Sequence, residues 1–383
     1  MAIVIEVSNS IFFLSTFIEI KYMLKELLNN ISLSTVLAFT NSFLLVYFVI
    51  PNIRSIIKTR RLTDVPDHRS SHKVATPTMA GVAFFITLIM TLFFIQNFDE
   101  KNLGINIVAA ISMIFMVALK DDLVLVPART KLAVEIGAVG LILFFGEFQL
   151  LNFQGFMGYS EISFIPTVLL TTIGMLGIIN AYNLIDGVDG LASIIALIVF
   201  SNFGLIFFTV ENYYFFLICV SFIGMLGAFL FYNLSQDKKI FMGDTGSLII
   251  GFMIGLCAIE FLSMDLNNLE KFSFLPENAI FMLFSIIFIP IFDTFRVITI
   301  RIKNKKSPFE PDRNHLHHLL LDMGFKHHQV AILLGISNYL IIISIAVLSK
   351  SLNYLMMTAM AILLFGGLIL LLNFLKTYLN NKK

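Results

Sequence analysis

The chain has 383 residues, of which 58% are hydrophobic and only 13% are charged, and its formal net charge is +1. A water-soluble domain of this length cannot bury so much apolar surface, so the composition excludes that class. It predicts an all-α, polytopic integral membrane protein. The lipid bilayer is then the expected environment, and the near-zero net charge gives no reason to expect a nucleic-acid partner.

Apolar segments follow one another along most of the chain. Residues 1–30 are interpreted as an N-terminal extension, for which an interfacial helix is one option, because neither a basic start nor a cleavage site for a signal peptide is present. Residues 31–376 are predicted to form one domain of about eleven transmembrane helices. The predicted segments lie near residues 31–50, 79–97, 105–119, 132–150, 165–182, 191–209, 213–232, 246–263, 278–298, 329–348 and 353–375.

Most of the Lys and Arg residues fall in loops on one side of this arrangement. Basic residues mark cytoplasmic loops, so this side is predicted to face the cytoplasm of a cell whose inner (plasma) membrane the protein crosses several times. The predicted cytoplasmic parts are the loops near residues 51–78, 120–131, 183–190, 233–245 and 299–328, followed by the tail at 377–383.

Every polar cluster falls on this same predicted face. A cation-coupled transporter, which is the alternative interpretation, would place polar groups near mid-membrane and expose them to both sides. Clustering on one side instead favours a membrane enzyme with a cytoplasmic active site.

One polar cluster interrupts two long apolar runs. Asn180, Asn183, Asp186 and Asp189 recur every third residue, so neighbours in this series would share a helix face, and Gly187 and Gly190 would then loosen that helix into a turn. Carboxylate and amide oxygens next to flexible glycines suit Mg²⁺ and phosphate, with Mn²⁺ as an alternative cation. The competing interpretation is a short polar loop at the membrane surface.

Two further acidic motifs lie at the ends of predicted helices. Asp121 and Asp122 are adjacent and would repel each other unless a cation or a proton intervenes. Asp244 stands among glycines in the run 243–247, where free N–H groups of a helix start favour an anion. The alternatives are a solvated pair of acids for the first motif, and simple capping of a helix that starts near Ser247 for the second.

Basic and imidazole side chains follow in two loops. Arg313, His315, His317 and His318 lie close together in the sequence, and no Cys or Glu completes a zinc motif with them, so they are interpreted as groups that recognise a diphosphate. In the first loop, Arg69 and His72 could also meet phosphate, although an ordinary basic membrane anchor explains that loop equally well.

Taken together, the motifs resemble one family. They are Asp64-x-Pro66-x-x-Arg69-x-x-His72, Asp121-Asp122 with Lys131, Asn180-x-x-Asn183-x-x-Asp186-Gly-x-Asp189, Gly243-Asp244-Thr245-Gly246-Ser247, Asp293-Thr-x-Arg296, and Asp312-Arg313-x-His315-x-His317-His318. In this order they are similar to those of the polyprenyl-phosphate N-acetylhexosamine-1-phosphate transferases, in particular the WecA/TagO branch.

The resemblance implies a reaction, a cofactor and substrates. Undecaprenyl phosphate would attack a UDP-N-acetylhexosamine, most simply UDP-GlcNAc, to give a lipid-linked sugar diphosphate and UMP, with Mg²⁺ required. A muramoyl-pentapeptide transferase is the closest alternative, but the His-Leu-His-His pattern is less typical of that enzyme. The identity of the hexosamine and the polysaccharide pathway stay open, and a homodimer is one option.

The resemblance also implies roles for individual residues. The expected metal ligands are Asn183 and Asp244. The expected catalytic residues are Asp121, Asp122, Asp186, Asp189 and His315. The expected substrate-binding residues are Arg69, His72, Lys131, Asn180, Asp293, Arg296, Arg313, His317 and His318. One departure concerns residue 125, where Leu stands in place of an Asp that many members of the WecA branch carry.

Overall fold

The fold is described from a computed structural model, which covers residues 29–60, 63–64, 76–146, 148, 153–158, 162–307 and 312–380. The N-terminal extension up to residue 28, as well as Arg69 and His72, lie outside the described residues. What the sequence predicts for them therefore stays a prediction.

Nearly all of the described chain is helical. The helices are α1 (Ile31–Arg60), α2 (Gly81–Phe94), α3 (Leu103–Leu123), α4 (Ala128–Phe145), α5 (Phe164–Leu184), α6 (Leu191–Thr209), α7 (Tyr213–Asn233), α8 (Gly243–Leu262), α9 (Leu266–Leu269), α10 (Ala279–Ile286), α11 (Phe288–Lys303), α12 (Leu316–Asp322), α13 (His327–Leu348) and α14 (Tyr354–Asn380). Three short 3-10 turns, at Gln96–Phe98, Phe156–Gly158 and Pro276–Asn278, lie between them. One antiparallel pair, β1 (Thr63–Asp64) with β2 (Thr76–Pro77), matches Thr63 to Pro77 and Asp64 to Thr76.

The described helices differ in whether they are long and apolar enough to cross a bilayer. Eight of the described helices, namely α1, α3, α5, α6, α7, α8, α13 and α14, are long and apolar enough to span a bilayer. Helices α10 and α11 meet at a bend of 76° and together would make a ninth span. Helix α2 is apolar but has only 14 residues. Each of the eleven apolar segments therefore contains a helix, which confirms a polytopic helical membrane protein, and eleven crossings stay a prediction.

Helix α8 lies at the centre of the molecule. Its apolar stretch is completely buried by the surrounding helices, whereas almost none of the apolar stretch of α14 is fully buried. Helix α5 packs closely against α8, because a Cβ atom at Gly251 would come within 2.9 Å of the Cα atom of Ile179. Small residues at such crossings allow two helix backbones to approach each other inside a membrane. The start of α8 and the end of α5 are thereby brought together.

A short stretch of backbone fixes the start of α8 from the other side. The N–H of Phe241 donates to the carbonyl of Pro77 at 2.8 Å, and the N–H groups of Ala80 and Gly81 donate to the carbonyls of Phe241 and Met242 at 3.2 Å each. These bonds join the entry to α2 with the entry to α8. The end of α3, the start of α4, the end of α5 and the start of α8 all meet at this end of the bundle.

Candidate active site

A lysine joins two of the acidic motifs. Lys131, in the first turn of α4, lies with Nζ 2.5 Å from Oδ2 of Asp121 and 2.5 Å from Oδ2 of Asp244. Oδ1 of Asp121 also accepts a hydrogen bond from the N–H of Val126 at 2.6 Å. Because opposite charges at this distance stabilise each other's ionised forms, the lysine holds together two carboxylates that would otherwise repel.

The second acid of the adjacent pair has a different environment. Oδ1 of Asp122 accepts the N–H of Asp244 at 2.9 Å, and Oδ2 accepts both the N–H of Thr245 at 3.1 Å and its hydroxyl group. Helix α8 begins at Gly243, four residues before the start expected near Ser247, and Asp122 supplies partners for its first free N–H groups. The helix cap thus comes from a distant acid, so local capping by Asp244 or Thr245, the alternative left open by the sequence, is wrong.

The amide of Asn183 contacts the same acidic cluster. Nδ2 of Asn183, in the last turn of α5, donates to Oδ1 of Asp244 at 3.2 Å and to the hydroxyl of Ser247 at 2.8 Å. The two residues expected to hold a metal ion are therefore direct neighbours. Their roles as ligands stay a prediction.

A buried glutamate that the sequence analysis missed lies beside this cluster. Oε2 of Glu135 accepts a hydrogen bond from Nδ2 of Asn180 at 2.6 Å, and the residue is only 1% exposed. Glu135 follows Lys131 by four residues in α4, so both side chains lie on one helix face. That spacing is the one signal in the sequence that could have pointed to Glu135.

Asp186 and Asp189 leave the helix that carries the two asparagines. Helix α5 ends at Leu184 and α6 begins at Leu191, so both acids lie in the turn between them. Burial, followed in importance by the negative charges of Asp244, Asp122 and Asp189, raises the pKa of Asp186 to about 7. A carboxyl group in this position responds to any cation that enters the cluster.

Asp189 is held by two basic side chains. Its Oδ2 atom lies 2.6 Å from Nζ of Lys239 and 2.9 Å from Nδ1 of His327. Burial alone would raise the pKa of Asp189, but the hydrogen bonds from His327 and Lys239 outweigh it and lower that pKa. Neither basic residue was predicted to belong to the site, since both are far from Asp189 in the chain.

The histidine segment is anchored by an acid of α11. Asp293 accepts the N–H of Leu316 at 2.9 Å on Oδ1 and lies 2.8 Å from Nδ1 of His315 through Oδ2. One guanidinium nitrogen of Arg296 donates to Oδ1 of Asp293 at 3.0 Å and also to the carbonyl of Asn314. Asp293 and Arg296 are both almost completely buried. The contacts of these two side chains therefore hold the histidine segment in place.

A second ion pair fixes the beginning of the segment. Nε of Arg301 donates to Oδ2 of Asp312 at 2.9 Å, and Oδ1 of Asp312 accepts the N–H of Asn314 at 2.9 Å. Arg313 lies 3.8 Å from Asp322, and both of these side chains are well exposed. The exposed guanidinium of Arg313 can therefore be reached from solution.

His317 and His318 lie in the first turn of α12, and His315 precedes that helix. Nε2 of His317 lies 2.5 Å from where a Cβ atom of Gly187 would be, so the imidazole packs directly on the turn that carries Asp186. Burial, together with the neighbouring His318, lowers the pKa of His317 to about 3. This imidazole is consequently neutral at physiological pH.

Two buried nitrogen atoms near the histidine segment have no hydrogen-bond partner among the described residues. They are Nε of Arg296 and Nδ1 of His318. Buried polar atoms are normally paired, so an unpaired buried nitrogen leaves a donor or acceptor without a partner. Both are compatible with an anionic or hydroxyl-rich substrate.

The donor set at the acidic cluster suits a hard divalent cation. Within the described ranges no three His, Cys, Asp or Glu side chains converge as a complete metal cage. Mg²⁺ does not need one, because it is usually held by one or two carboxylates together with water and substrate phosphates. Asp244 and the amide oxygen of Asn183 supply ligands of that kind.

The structure brings most of the expected residues into one continuous site. The acidic cluster contains Asp121, Asp122, Lys131, Asn183 and Asp244, and Asn180 lies beside it through Glu135. Asp186 and Asp189 lie in the turn after α5, and the contact between His317 and Gly187 of the same turn joins it to the histidine segment. Their assigned roles in binding or catalysis stay predictions.

Comparison with known proteins decides the family. The undecaprenyl-phosphate alpha-N-acetylglucosaminyl 1-phosphate transferase of Pasteurella multocida is 30% identical over 307 residues, covering 79% of this chain and 82% of that protein. The chain belongs to glycosyl transferase family 4. A sequence model of the family, Glycosyl transferase family 4, matches residues 103–262 of this chain. Those residues run from α3 to the end of α8 and include the whole acidic cluster.

Two other relatives of this family 4 glycosyl transferase are similar over most of their length. The probable undecaprenyl-phosphate N-acetylglucosaminyl 1-phosphate transferase of Bacillus subtilis is 28% identical, covering 82% of this chain and 85% of the relative. The undecaprenyl-phosphate alpha-N-acetylglucosaminyl 1-phosphate transferase of Escherichia coli is 26% identical, covering 78% and 79%. The resemblance found in the motifs is thus confirmed.

Proposed function

We propose that the protein transfers N-acetylglucosamine 1-phosphate from UDP-GlcNAc to undecaprenyl phosphate, releasing UMP and starting the synthesis of a cell-envelope polysaccharide. The observation that carries this proposal is the continuity of the acidic cluster with the histidine segment through His317 and Gly187. A lipid phosphate and a nucleotide diphosphate can meet there. The names of the three relatives, all N-acetylglucosaminyl 1-phosphate transferases, agree with it.

The proposed chemistry is phosphoryl transfer. An oxygen of the lipid phosphate forms a bond to the β-phosphorus of UDP-GlcNAc, and the bond from that phosphorus to the bridging oxygen breaks. The bridging oxygen and its electron pair leave with UMP. Such a reaction needs alignment and charge stabilisation more than covalent help from the protein.

The chain supplies these two needs with different groups. Lys131 holds Asp121 and Asp244 in fixed positions and brings positive charge to the acidic cluster. The exposed guanidinium of Arg313 can bind the diphosphate. A Mg²⁺ ion bound by Asp244 and Asn183 would neutralise charge on the transferred phosphoryl group.

In this proposal Asp293 acts indirectly and does not contact the substrate. Because its carboxylate is bound by His315, Leu316 and Arg296, it orients the segment that meets the substrate. Its function is then that of a positioning residue. Neutral His317 can offer a hydrogen bond to the substrate but carries no positive charge to it.

The membrane setting explains how two dissimilar substrates could meet. The site lies where the ends of α3 and α5 meet the start of α8. In this proposal that side of the bundle faces the cytoplasm at a bacterial inner membrane, as the positive-inside rule predicts. The nucleotide sugar would arrive from the cytoplasm. The prenyl chain would stay in the bilayer while its phosphate reaches Lys131.

The proposal is tested with purified protein in detergent. UMP release from UDP-GlcNAc is expected only when undecaprenyl phosphate and Mg²⁺ are both present, and EDTA should abolish it. UDP-GalNAc in parallel reactions measures selectivity for the sugar. The protein variant Asp244→Asn serves as the negative control. No UMP from the complete mixture would refute the proposed reaction.

A further inference from the structure

The break between α10 and α11 leaves backbone groups without their usual partners. Pro290 has no N–H, so the carbonyl of Ile286, four residues earlier, cannot receive a normal helical hydrogen bond. The N–H of Ile289 lies in the first turn of α11, where a helix has no earlier carbonyl to offer. Inside a membrane no water is available to pair with such groups, so leaving them unpaired is costly.

One side chain from another helix satisfies both of these groups. Nδ2 of Asn338, in α13, donates to the carbonyl of Ile286 at 3.0 Å, and Oδ1 of Asn338 accepts the N–H of Ile289 at 3.0 Å. Asn338 is 0% exposed. A single amide thus replaces the N–H that Pro290 lacks and also provides the carbonyl-like acceptor that the start of α11 needs.

The direction of α11 determines where the histidine segment lies. The bend at Ile287 is 76°, and Asp293 lies on α11 only a few residues beyond it. Asp293 binds His315 and the backbone of Leu316. A change in the angle at Ile287 would therefore move the carboxylate of Asp293, and the histidine segment with it.

We infer that Asn338 is a positioning residue for the reaction, which acts from within the membrane by fixing the break between α10 and α11 and, through Asp293, the place of His315. This inference rests on the proposed function, because it is the nucleotide sugar whose binding His315 should favour. Asn338 touches no substrate. Its effect must appear in the binding of the nucleotide sugar and leave that of the lipid phosphate nearly unchanged.

The test compares three variants with the wild-type protein in detergent. Asn338→Leu keeps the branched shape of the side chain and removes both hydrogen bonds. In Asn338→Asp the buried acid is expected to be protonated, so it can still donate and accept. Asn202→Leu is the matched control, since the amide of Asn202 in α6 donates to the carbonyl of Ile198 in its own helix.

Asn338→Leu is expected to lower kcat/KM for UDP-GlcNAc by about 10- to 100-fold, mainly through KM, while KM for undecaprenyl phosphate changes little. Asn338→Asp should recover most of the loss, and Asn202→Leu should behave as wild type. In the double variant with His315→Ala the two losses should not add, because both act on the same segment. Additive losses, or equal effects on both substrates, would overturn the inference.

A chemical measurement separates this inference from the proposed function. His315 is 6% exposed in the wild type, so diethyl pyrocarbonate should modify it slowly, with the site read by mass spectrometry. Asn338→Leu should speed this modification by about ten-fold, because the segment becomes mobile. If Asn338→Leu does not purify as a monodisperse protein, Asn338→Ser is measured in its place. Unchanged protection of His315 would refute the positioning role, whether or not the protein releases UMP.

Discussion

Lys131 and Asp244 are 113 residues apart in the chain, and the ammonium nitrogen of the first lies 2.5 Å from a carboxylate oxygen of the second. The same ammonium group contacts Asp121. The acids at the end of α3 and the start of α8 are thus joined through one positive charge. Without it, the two carboxylates would face each other in a partly buried site, where repulsion is weakly screened.

Replacing Lys131 is therefore expected to disable the site. Lys131→Met should lower kcat for UMP release by at least about 100-fold, the usual size of the effect when a charged group next to the reacting atoms is lost. Lys131→Arg should retain part of the activity, since the charge stays but its shape changes. Lys120→Met, at the exposed position directly before Asp121, is the control. Wild-type turnover in Lys131→Met would remove the lysine from the site.

Asp121 and Asp122 should differ in what their loss affects. Asp122 accepts three hydrogen bonds from the start of α8, so Asp122→Asn should destabilise the protein by about 1–2 kcal/mol and lower its unfolding temperature in detergent. Asp121→Asn should abolish turnover with a smaller effect on unfolding. An unfolding temperature that stays constant in Asp122→Asn would contradict the capping role.

The contact between Gly187 and His317 is open to a steric test. A Cβ atom at residue 187 would come within 2.5 Å of the His317 ring, so Gly187→Ala must displace the imidazole. We expect KM for UDP-GlcNAc to rise by about ten-fold. Gly174→Ala in α5 is a matched control, because a Cβ atom there meets nothing within 4 Å. Equal kinetics for the two alanine variants would show that the contact has no role in binding.

His317 should make the protein sensitive to acid. Burial lowers the pKa of His317 from 6.5 to about 3, so between these values the unfolded chain binds a proton that the folded protein excludes. His317 therefore does not change the free energy of unfolding above pH 6.5, and this free energy falls progressively as the pH drops from 6.5 toward 3. Chemical unfolding in detergent at several pH values should show a shallower loss for His317→Gln. Parallel curves for this variant and the wild type would contradict the assignment.

Much of the helical arrangement could be predicted from the sequence. Long apolar runs such as Leu191–Thr209 leave few alternatives to a membrane helix, because every backbone polar group must be paired within the segment. The turn with Asp186 and Asp189 was recognisable for the same reason, since charged residues rarely interrupt such runs. The motif order pointed to the family before any geometry was available.

The remaining features depend on contacts between distant parts of the chain. Asp122 looks like a catalytic acid in the sequence, and only folding shows that it meets the start of α8. Glu135 and His327 belong to no recognisable motif, and their partners lie on other helices or turns. Pro290 predicts a distortion of its helix. No residue near it in the sequence indicates that Asn338 supplies the missing hydrogen bond. Such pairings follow from tertiary packing, which a periodic pattern does not encode.

The central prediction is that the reaction breaks the bond between the β-phosphorus of the nucleotide sugar and the oxygen that bridges its two phosphorus atoms. It is tested most directly with UDP-GlcNAc carrying ³²P in its β-phosphate, incubated with the purified protein, undecaprenyl phosphate and Mg²⁺. The label is expected to move into the lipid fraction together with the sugar, leaving unlabelled UMP in water, and Asp244→Asn should move none. Recovery of the label as UDP, or equal transfer by Asp244→Asn, would contradict the account.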